Sequence, residues 1–404
     1  MFDAMIFAAK KALVLLLTAV ACAGIARAEV ELGSDVLAAH GFDILKDKRI
    51  GLVTNQTGVN SHGAKTRVLL KNAPGVKLVA LFTPEHGLDG TELAGKYVAT
   101  RKDKLTGLTA WSLYGPTRKP TPQMLAGLDA LVFDMQDIGS RSYTYVSTMI
   151  KCMEAAGEKG IEFIVLDRPN PLGGTRVEGP PIESQWISFV GQLPVPYVHG
   201  MTVGEIARMA NGAGWVQPKC NLKVVPMQGW KRGMVWADTG LRWVATSPNI
   251  PRPSSPLYYV ATGTVGELPD LETGVGGPEP FEIIGAKWLN AQSFTAQLKA
   301  QHYPGVTFSE FASGGFQGAR LRIDPHTGAN LCAIGAAILD GVNQPAKPSL
   351  FARSASKLEM FYKCYGTTAI RMQLERRAPL QTIVASWQPG VARFERERQP
   401  FLLY

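Results

Sequence analysis

The chain has 404 residues, 46% hydrophobic and 19% charged, with a formal charge of +9. That length exceeds one small core and suits two domains, while the composition excludes disordered and fibrous classes. The positive balance favours an anionic partner, yet no basic run interleaved with aromatics marks a nucleic-acid surface.

Lys10 and Lys11 precede an apolar run over residues 12–23, followed by Ala26-Arg27-Ala28. A positive start, a core too short to span a bilayer and a small-x-small end predict a signal peptide over residues 1–28. A periplasmic or secreted protein is expected, with no nucleic acid as partner. No stable membrane insertion follows, because no later segment is apolar for long enough to cross a bilayer. Loss of Lys10, Lys11, Arg27 and Asp3 takes the charge from +9 to +7. Cys152, Cys220, Cys332 and Cys364 remain, widely spaced and without a CxxC. Their spacing opposes a zinc cluster and leaves both disulfides and buried thiols open.

From residue 48 onward, apolar runs at 49–54, 76–82, 130–133, 161–166 and 222–225 read as strands. Continuous Val/Ile/Leu runs of this length suit parallel strands buried on both faces. Helices fill the gaps at 64–71 and 143–156, the latter with Val146, Met149, Ile150 and Met153 near helical spacing. A third helix opens at Thr202, where Thr202-Val203-Gly204-Glu205 has capping-box spacing. Strand-helix alternation predicts a doubly wound α/β domain over residues 29–250. The proline-rich stretch at 247–256 cannot lie inside a central strand or a helix and marks the domain junction. Residues 251–404 read as a smaller α+β domain, with helices at 286–299, 329–339 and 355–362 and a strand at 318–323.

In an open parallel sheet the ligand crevice lies beyond the carboxyl ends of the strands. Asn55, Glu85, Asp134, Asp137, Asp167 and Arg168 each follow the apolar part of an expected strand, so they converge on one rim. In Pro84-Glu85-His86-Gly87-Leu88-Asp89-Gly90, a proline and two glycines set the path of a loop bearing a Glu and a His. That placement serves proton transfer by Glu85, and equally a capping or ion-pairing role. Asp134-Met135-Gln136-Asp137-Ile138-Gly139-Ser140-Arg141-Ser142-Tyr143 brings acids, an amide, an arginine and an aromatic into one binding cluster. Within it Asp137 suits a helix cap, Arg141 a carboxylate clamp and Tyr143 a sugar-stacking surface. Glu272, Glu279 and Glu282 sit in a Gly/Pro-rich stretch that reads as a substrate-contacting loop or a solvated connector. A nucleophile elbow, a His-Glu-x-x-His and a Gly-x-Gly-x-x-Gly are all absent. Their absence weakens hydrolase-elbow, metalloenzyme and dinucleotide readings.

Taken in order, these segments resemble the bacterial exo-β-N-acetylmuramidase family. The resemblance rests on Gly51-Leu52-Val53-Thr54-Asn55-Gln56-Thr57-Gly58, Pro84-Glu85-His86-Gly87, Asp134-Met135-Gln136-Asp137 and Asp167-Arg168-Pro169-Asn170. It continues through His199-Gly200-Met201-Thr202, Ser247-Pro248-Asn249-Ile250, Gly276-Gly277-Pro278-Glu279 and Phe401-Leu402-Leu403-Tyr404. It implies a Rossmann-like first domain, a smaller second domain and a site in the cleft between them. It also implies release of terminal, non-reducing N-acetylmuramic acid from peptidoglycan fragments, with Glu85 catalytic and no metal or organic cofactor. Glycosidases usually pair two carboxyl groups; Asp137 and Glu282 lead for the second. Asn55, His86, Asp134, Gln136, Arg141, Tyr143, Arg168, Asn249, Glu272 and Glu279 are expected to bind substrate. Arg141, Arg168 or Arg252 is expected to hold the lactyl carboxylate. The rival reading is a non-catalytic muropeptide-binding protein using the same cleft.

Overall fold

The computed structural model describes residues 30–404; the expected signal peptide lies outside the described residues. The first part of the chain forms a seven-stranded sheet from β1 (Arg49–Thr54), β2 (Lys77–Thr83), β3 (Arg101–Lys102), β4 (Thr109–Ser112), β5 (Ala130–Asp134), β6 (Glu162–Leu166) and β7 (Asn221–Val225). Its order is β3-β4-β2-β1-β5-β6-β7. All neighbours run parallel except the short edge pair β3–β4. Without β3 this is the strand order of the doubly wound dinucleotide-binding sheet, and it reverses between β1 and β5.

The continuous apolar runs have a direct cause. Strand side chains alternate between faces, and both faces of this sheet are covered. Leu131 and Phe133 of β5 join one core with Met149, Ile150 and Met153 of the helix Thr144–Lys159. Ala130 and Val132 join the opposite core with Leu70 of the helix Thr66–Asn72 and Leu37 of the helix Gly33–Ala39. Each of the larger side chains, fully buried, contributes about 1.5–3 kcal/mol. The helix Thr144–Lys159 stops at Gly160, whose φ of 72° supplies the left-handed cap. The expected capping box is formed: Thr202 accepts from the Glu205 amide, Glu205 accepts from the Thr202 amide, and the helix Val203–Gly212 begins there.

After residue 250 comes a smaller antiparallel sheet of β8 (Leu271–Glu272), β9 (Ile283–Ala286), β10 (Val306–Ser313) and β11 (Phe316–Ile323), ordered β10-β11-β9-β8. The helix expected over 286–299 is present but starts five residues later. β9 ends at Ala286, and Asn290 caps a new helix, Ala291–Lys299, by accepting from the Ser293 amide. The helix Leu331–Asn343 is capped in the same way by Asn330. Helices then lead back over the first domain, and Val391 and Phe394 of the helix Gln388–Arg398 join the core that holds Phe133. Cys152, Cys220, Cys332 and Cys364 are all free and buried.

Candidate active site

β2 delivers the chain to Pro84 and then to two consecutive turns, closed by the Gly87 amide on Pro84 O and the Gly90 amide on Gly87 O. His86 has a φ of 67°, a left-handed conformation that costs a non-glycine residue free energy and often marks function. Two bonds hold it there: the Glu92 amide donates to His86 O at 3.2 Å, and His86 Nδ1 lies 2.7 Å from Glu92 O. A carbonyl only accepts, so Nδ1 carries a hydrogen, and in the neutral ring Nε2 is left as the acceptor. Gly90, with a φ of 71°, packs onto Gln56 so closely that a Cβ there would meet the amide at 2.1 Å.

This folding back brings the Gly95 amide within 2.7 Å of Glu85 Oε1. On the other side Thr144, first residue of its helix, donates its hydroxyl to Glu85 Oε2 at 2.7 Å. Glu85 is 7% exposed and lines a cavity of about 410 Å³, large enough for a sugar ring with its substituents. The other walls come from both parts of the chain: Tyr114 and Tyr143 from the first, Ser247 and Asn249 from the junction, Tyr259, Glu267, Thr273 and Phe281 from the second. Burial raises the pKa of the Tyr114 phenol, and the charge of Glu85 raises it further. The Arg118 guanidinium stacks 3.5 Å above the Tyr114 ring centroid, a cation–π contact that fixes both. Glu267 also has its pKa raised by burial, partly opposed by Lys357. Among the described residues no hydrogen bond holds its carboxylate.

Of the residues expected from sequence, the structure gathers Glu85, His86, Tyr143 and Asn249 at this cavity. Tyr143 donates to Thr246 Oγ1 at 2.8 Å, and Asn249 Oδ1 accepts the Gly276 amide at 3.0 Å. The other expected residues are placed elsewhere. Asp137 lines a small internal cavity of about 10 Å³ beside Asn170 and His199. Its Oδ1 accepts the Gly139 amide, Oδ2 has no partner among the described residues, and burial lifts its pKa to about 7. Glu282 is held between Arg252 and Arg322, and Glu279 is bound by Arg320 and Arg322. Glu272 turns back onto the Gly274 amide. None of these acids lines the Glu85 cavity.

Arg141 is not placed to clamp a ligand carboxylate. Its Nη1 donates to Pro180 O and Val195 O, and its Nη2 to Cys364 O and Tyr365 O. It staples the loop after β5 to the C-terminal helices. Arg168 is likewise committed, to the buried Asp134 and to Val59 O. Burial raises the pKa of Asp134, and the Arg168 charge opposes that rise. Asn55 Oδ1 accepts both the amide and the hydroxyl of Thr57, shaping the turn after β1. Gln136 spans Asp137 O and Pro169 O. Sequence reasoning missed Tyr114, Thr144, Tyr259 and Glu267 as cavity residues. Of these only Thr144 carried a signal, as a hydroxyl in the first turn of a strongly periodic helix.

Among the described residues, no group of three or more His, Cys, Asp or Glu is arranged to hold a metal ion, and no helix is long and apolar enough to cross a membrane. Residues 50–254 match the N-terminal domain of the exo-β-N-acetylmuramidase NamZ family, and residues 257–404 match its C-terminal domain. The peptidoglycan β-N-acetylmuramidase NamZ of Bacillus subtilis (strain 168) is 38% identical over 385 residues, covering 93% of this chain and 92% of that protein. A crystal structure of a DUF1343 family protein from Bacteroides fragilis NCTC 9343 superposes with a TM-score of 0.86 at 41% identity, covering 94% of this chain and 100% of that one. A second protein of that family and organism gives 0.67 at 28% identity, covering 93% and 99%.

Proposed function

The chain belongs to the exo-β-N-acetylmuramidase NamZ family, and from that premise we propose that Glu85 is its proton donor in the cavity described above. The protein is an exo-acting glycoside hydrolase that releases terminal, non-reducing N-acetylmuramic acid from peptidoglycan fragments. One observation carries the assignment to Glu85. Its carboxyl group is aimed by the Gly95 amide and the Thr144 hydroxyl on the wall of a sugar-sized cavity built from both parts of the chain.

Breaking the glycosidic bond requires a proton on the leaving oxygen as positive charge develops at the sugar carbon. Glu85 gives that proton. Glu267 is the second carboxyl group lining the cavity, and we assign it the partner role. Either it takes a proton from the attacking water, or it accepts the N–H of the sugar's own acetamide while the acetamide oxygen attacks. His86, hydrogen-bonded through Nδ1, keeps Nε2 as an acceptor for a sugar hydroxyl. The residues lining the cavity include no Lys or Arg. Arg118, stacked on Tyr114, is our candidate for the cation that meets the lactyl carboxylate.

The test is a kinetic comparison on a chromogenic N-acetylmuramic acid glycoside. Glu85→Gln keeps size and an acceptor for the Gly95 amide but removes the acid, so kcat falls by roughly 100-fold or more while KM changes little. Glu267→Gln lowers kcat by about 10-fold or more. Wild-type turnover in the first variant removes Glu85 from the mechanism, and wild-type turnover in the second removes Glu267.

The same reading places the protein in the periplasm or outside the cell, where peptidoglycan lies. Its support is the start of the sequence, with Lys10 and Lys11, the apolar run and Ala26-Arg27-Ala28.

A further inference from the structure

Beside the Glu85 cavity lies a second one that the hydrolytic reading leaves unused. Its volume is about 390 Å³, and it opens past the ends of β1 and β5, where Gln56 and Gln136 line it. This is the point of strand-order reversal at which open α/β sheets hold ligands. Residues 244–247 separate the two volumes: Val244 and Ala245 line the second, Ser247 the first.

The charge on its walls has one sign. Lys65, Arg168 and Arg242 line it, and no carboxylate does. The nearby acids are committed: Asp134 pairs with Arg168, and Asp35 accepts the amides of Leu32 and Ser61. Lys65 and Arg242 have no ion pair or side-chain hydrogen bond among the described residues. Burial and the charge of Arg67 lower the Lys65 pKa, against the charges of Asp89 and Asp103; the charge of a bound anion would oppose that lowering.

The polar groups add a second requirement. Gln136 is 2% exposed, and its Nε2 donates to Asp137 O and Pro169 O at 2.8 Å each. Those two bonds fix the orientation of the amide, and Oε1 is left without a partner among the described residues. Gln56 repeats the arrangement, with Nε2 on Ala245 O and Thr246 O and Oε1 unpartnered. Such acceptors need a donor. A phosphate group offers negative charge but few donors, so it meets the cations and fails the glutamines. Nor does Asn55-Gln56-Thr57-Gly58 have the glycines of a phosphate-cradling turn.

We propose that this cavity binds a small organic carboxylate that also carries N–H or O–H donors, with Lys65 and Arg242 taking the carboxylate and the Gln56 and Gln136 carbonyls taking the donors. Two sources share that chemistry, an acidic peptide and a carboxylated amino sugar. Calorimetric titration of the full chain with alanyl-glutamate, with N-acetylmuramic acid and with inorganic phosphate distinguishes them. The comparison protein is the Lys65→Ala, Arg242→Ala double variant, whose altered side chains leave no packed core. At least one carboxylate should bind the wild type and bind the double variant at least fivefold more weakly. A response to the dipeptide alone identifies a peptide site. For muramic acid, which also enters the Glu85 cavity, the signature is loss of one of two binding sites. Turnover of the chromogenic glycoside should stay within twofold of wild type. Absent or unchanged binding of both carboxylates, or phosphate binding as tightly as either, overturns the proposal. Loss of turnover in the Glu85 variant is read separately, so the two assignments fail independently.

Discussion

Asp137 shows what burial does to an acid expected to serve as the second catalytic carboxyl group. It is 5% exposed and its pKa is lifted to about 7 by desolvation, against hydrogen bonds from the Gly139 and Ile138 amides. The folded protein therefore holds a proton that the unfolded chain releases near pH 4. Stability attributable to this group falls as pH rises from about 4 to about 7, and the cost is complete above that. Asp137→Asn keeps the acceptor for Gly139 and does not titrate. Its melting temperature, measured against wild type, should gain steadily between about pH 4 and pH 7 and level off above that. A difference that is flat with pH would show that Asp137 is ionised in the fold. Arg118 carries the complementary residue-scale prediction. Arg118→Ala should cut the preference for muramic acid glycosides over N-acetylglucosamine glycosides by roughly 10-fold, since an unpaired substrate carboxylate is expensive. An unchanged ratio of kcat/KM values assigns that preference to other residues. Glu85 and His86 were legible because proline and glycine mark their loop at the end of an apolar run. Glu267 was not: it sits in the short turn Val265–Glu267, with no periodicity around it, and it reaches the cavity only through the packing of the second part.

At the scale of elements, the strands buried on both faces were legible as unbroken apolar runs, and their ends fall within a residue or so of expectation. β3 and β4 were not, because two and four residues at a sheet edge carry too little pattern. β10 alternates buried and exposed positions only from Val306 to Ser309 before the pattern breaks, too short a period-two run to stand out in the sequence. The capping box at Thr202 was the most specific local signal, and it does more than end a helix. Thr202 Oγ1 accepts the Glu205 amide at 3.2 Å and donates to the buried Asp167 Oδ2 at 2.8 Å, while the Gly204 amide donates to Asp167 Oδ1 at 2.7 Å. The helix start and the end of β6 therefore share one carboxylate. Thr202→Ala removes a cap and a bond to a charged group and should destabilise by about 2–3 kcal/mol. Thr202→Ser keeps both bonds and should recover most of that loss. Chemical denaturation compares the two; equal losses would trace the effect to the threonine methyl group instead.

Across the whole molecule the chain closes on itself. Its last four residues return to the first domain and are held by buried polar groups. Tyr404 donates to Asp167 Oδ2 at 2.7 Å and accepts the Met227 amide at 2.7 Å, with its ring edge-to-face on Trp230. The Leu403 amide donates to Glu205 Oε1 at 2.8 Å, and Arg208 donates to the carbonyls of Phe401 and Leu402. Asp167, whose pKa burial raises to about 6, counts Tyr404 among its stabilising donors, and Glu205 is 0% exposed. A terminus bound in this way is part of the core that positions β6 and the helix Val203–Gly212. Deleting residues 401–404 exposes Trp230 and leaves Asp167 and Glu205 short of donors, at about 1–3 kcal/mol for each buried group so stranded. The truncated protein should melt a few degrees lower, by roughly 1 °C per kcal/mol lost for a chain of this size. Tyr404→Phe, which keeps the ring and loses only the hydroxyl, should fall between the truncation and the wild type. If the truncated chain melts with the wild type, the terminal segment contributes nothing to the first domain, and the bonds to Asp167 and Glu205 are replaced by water at no cost.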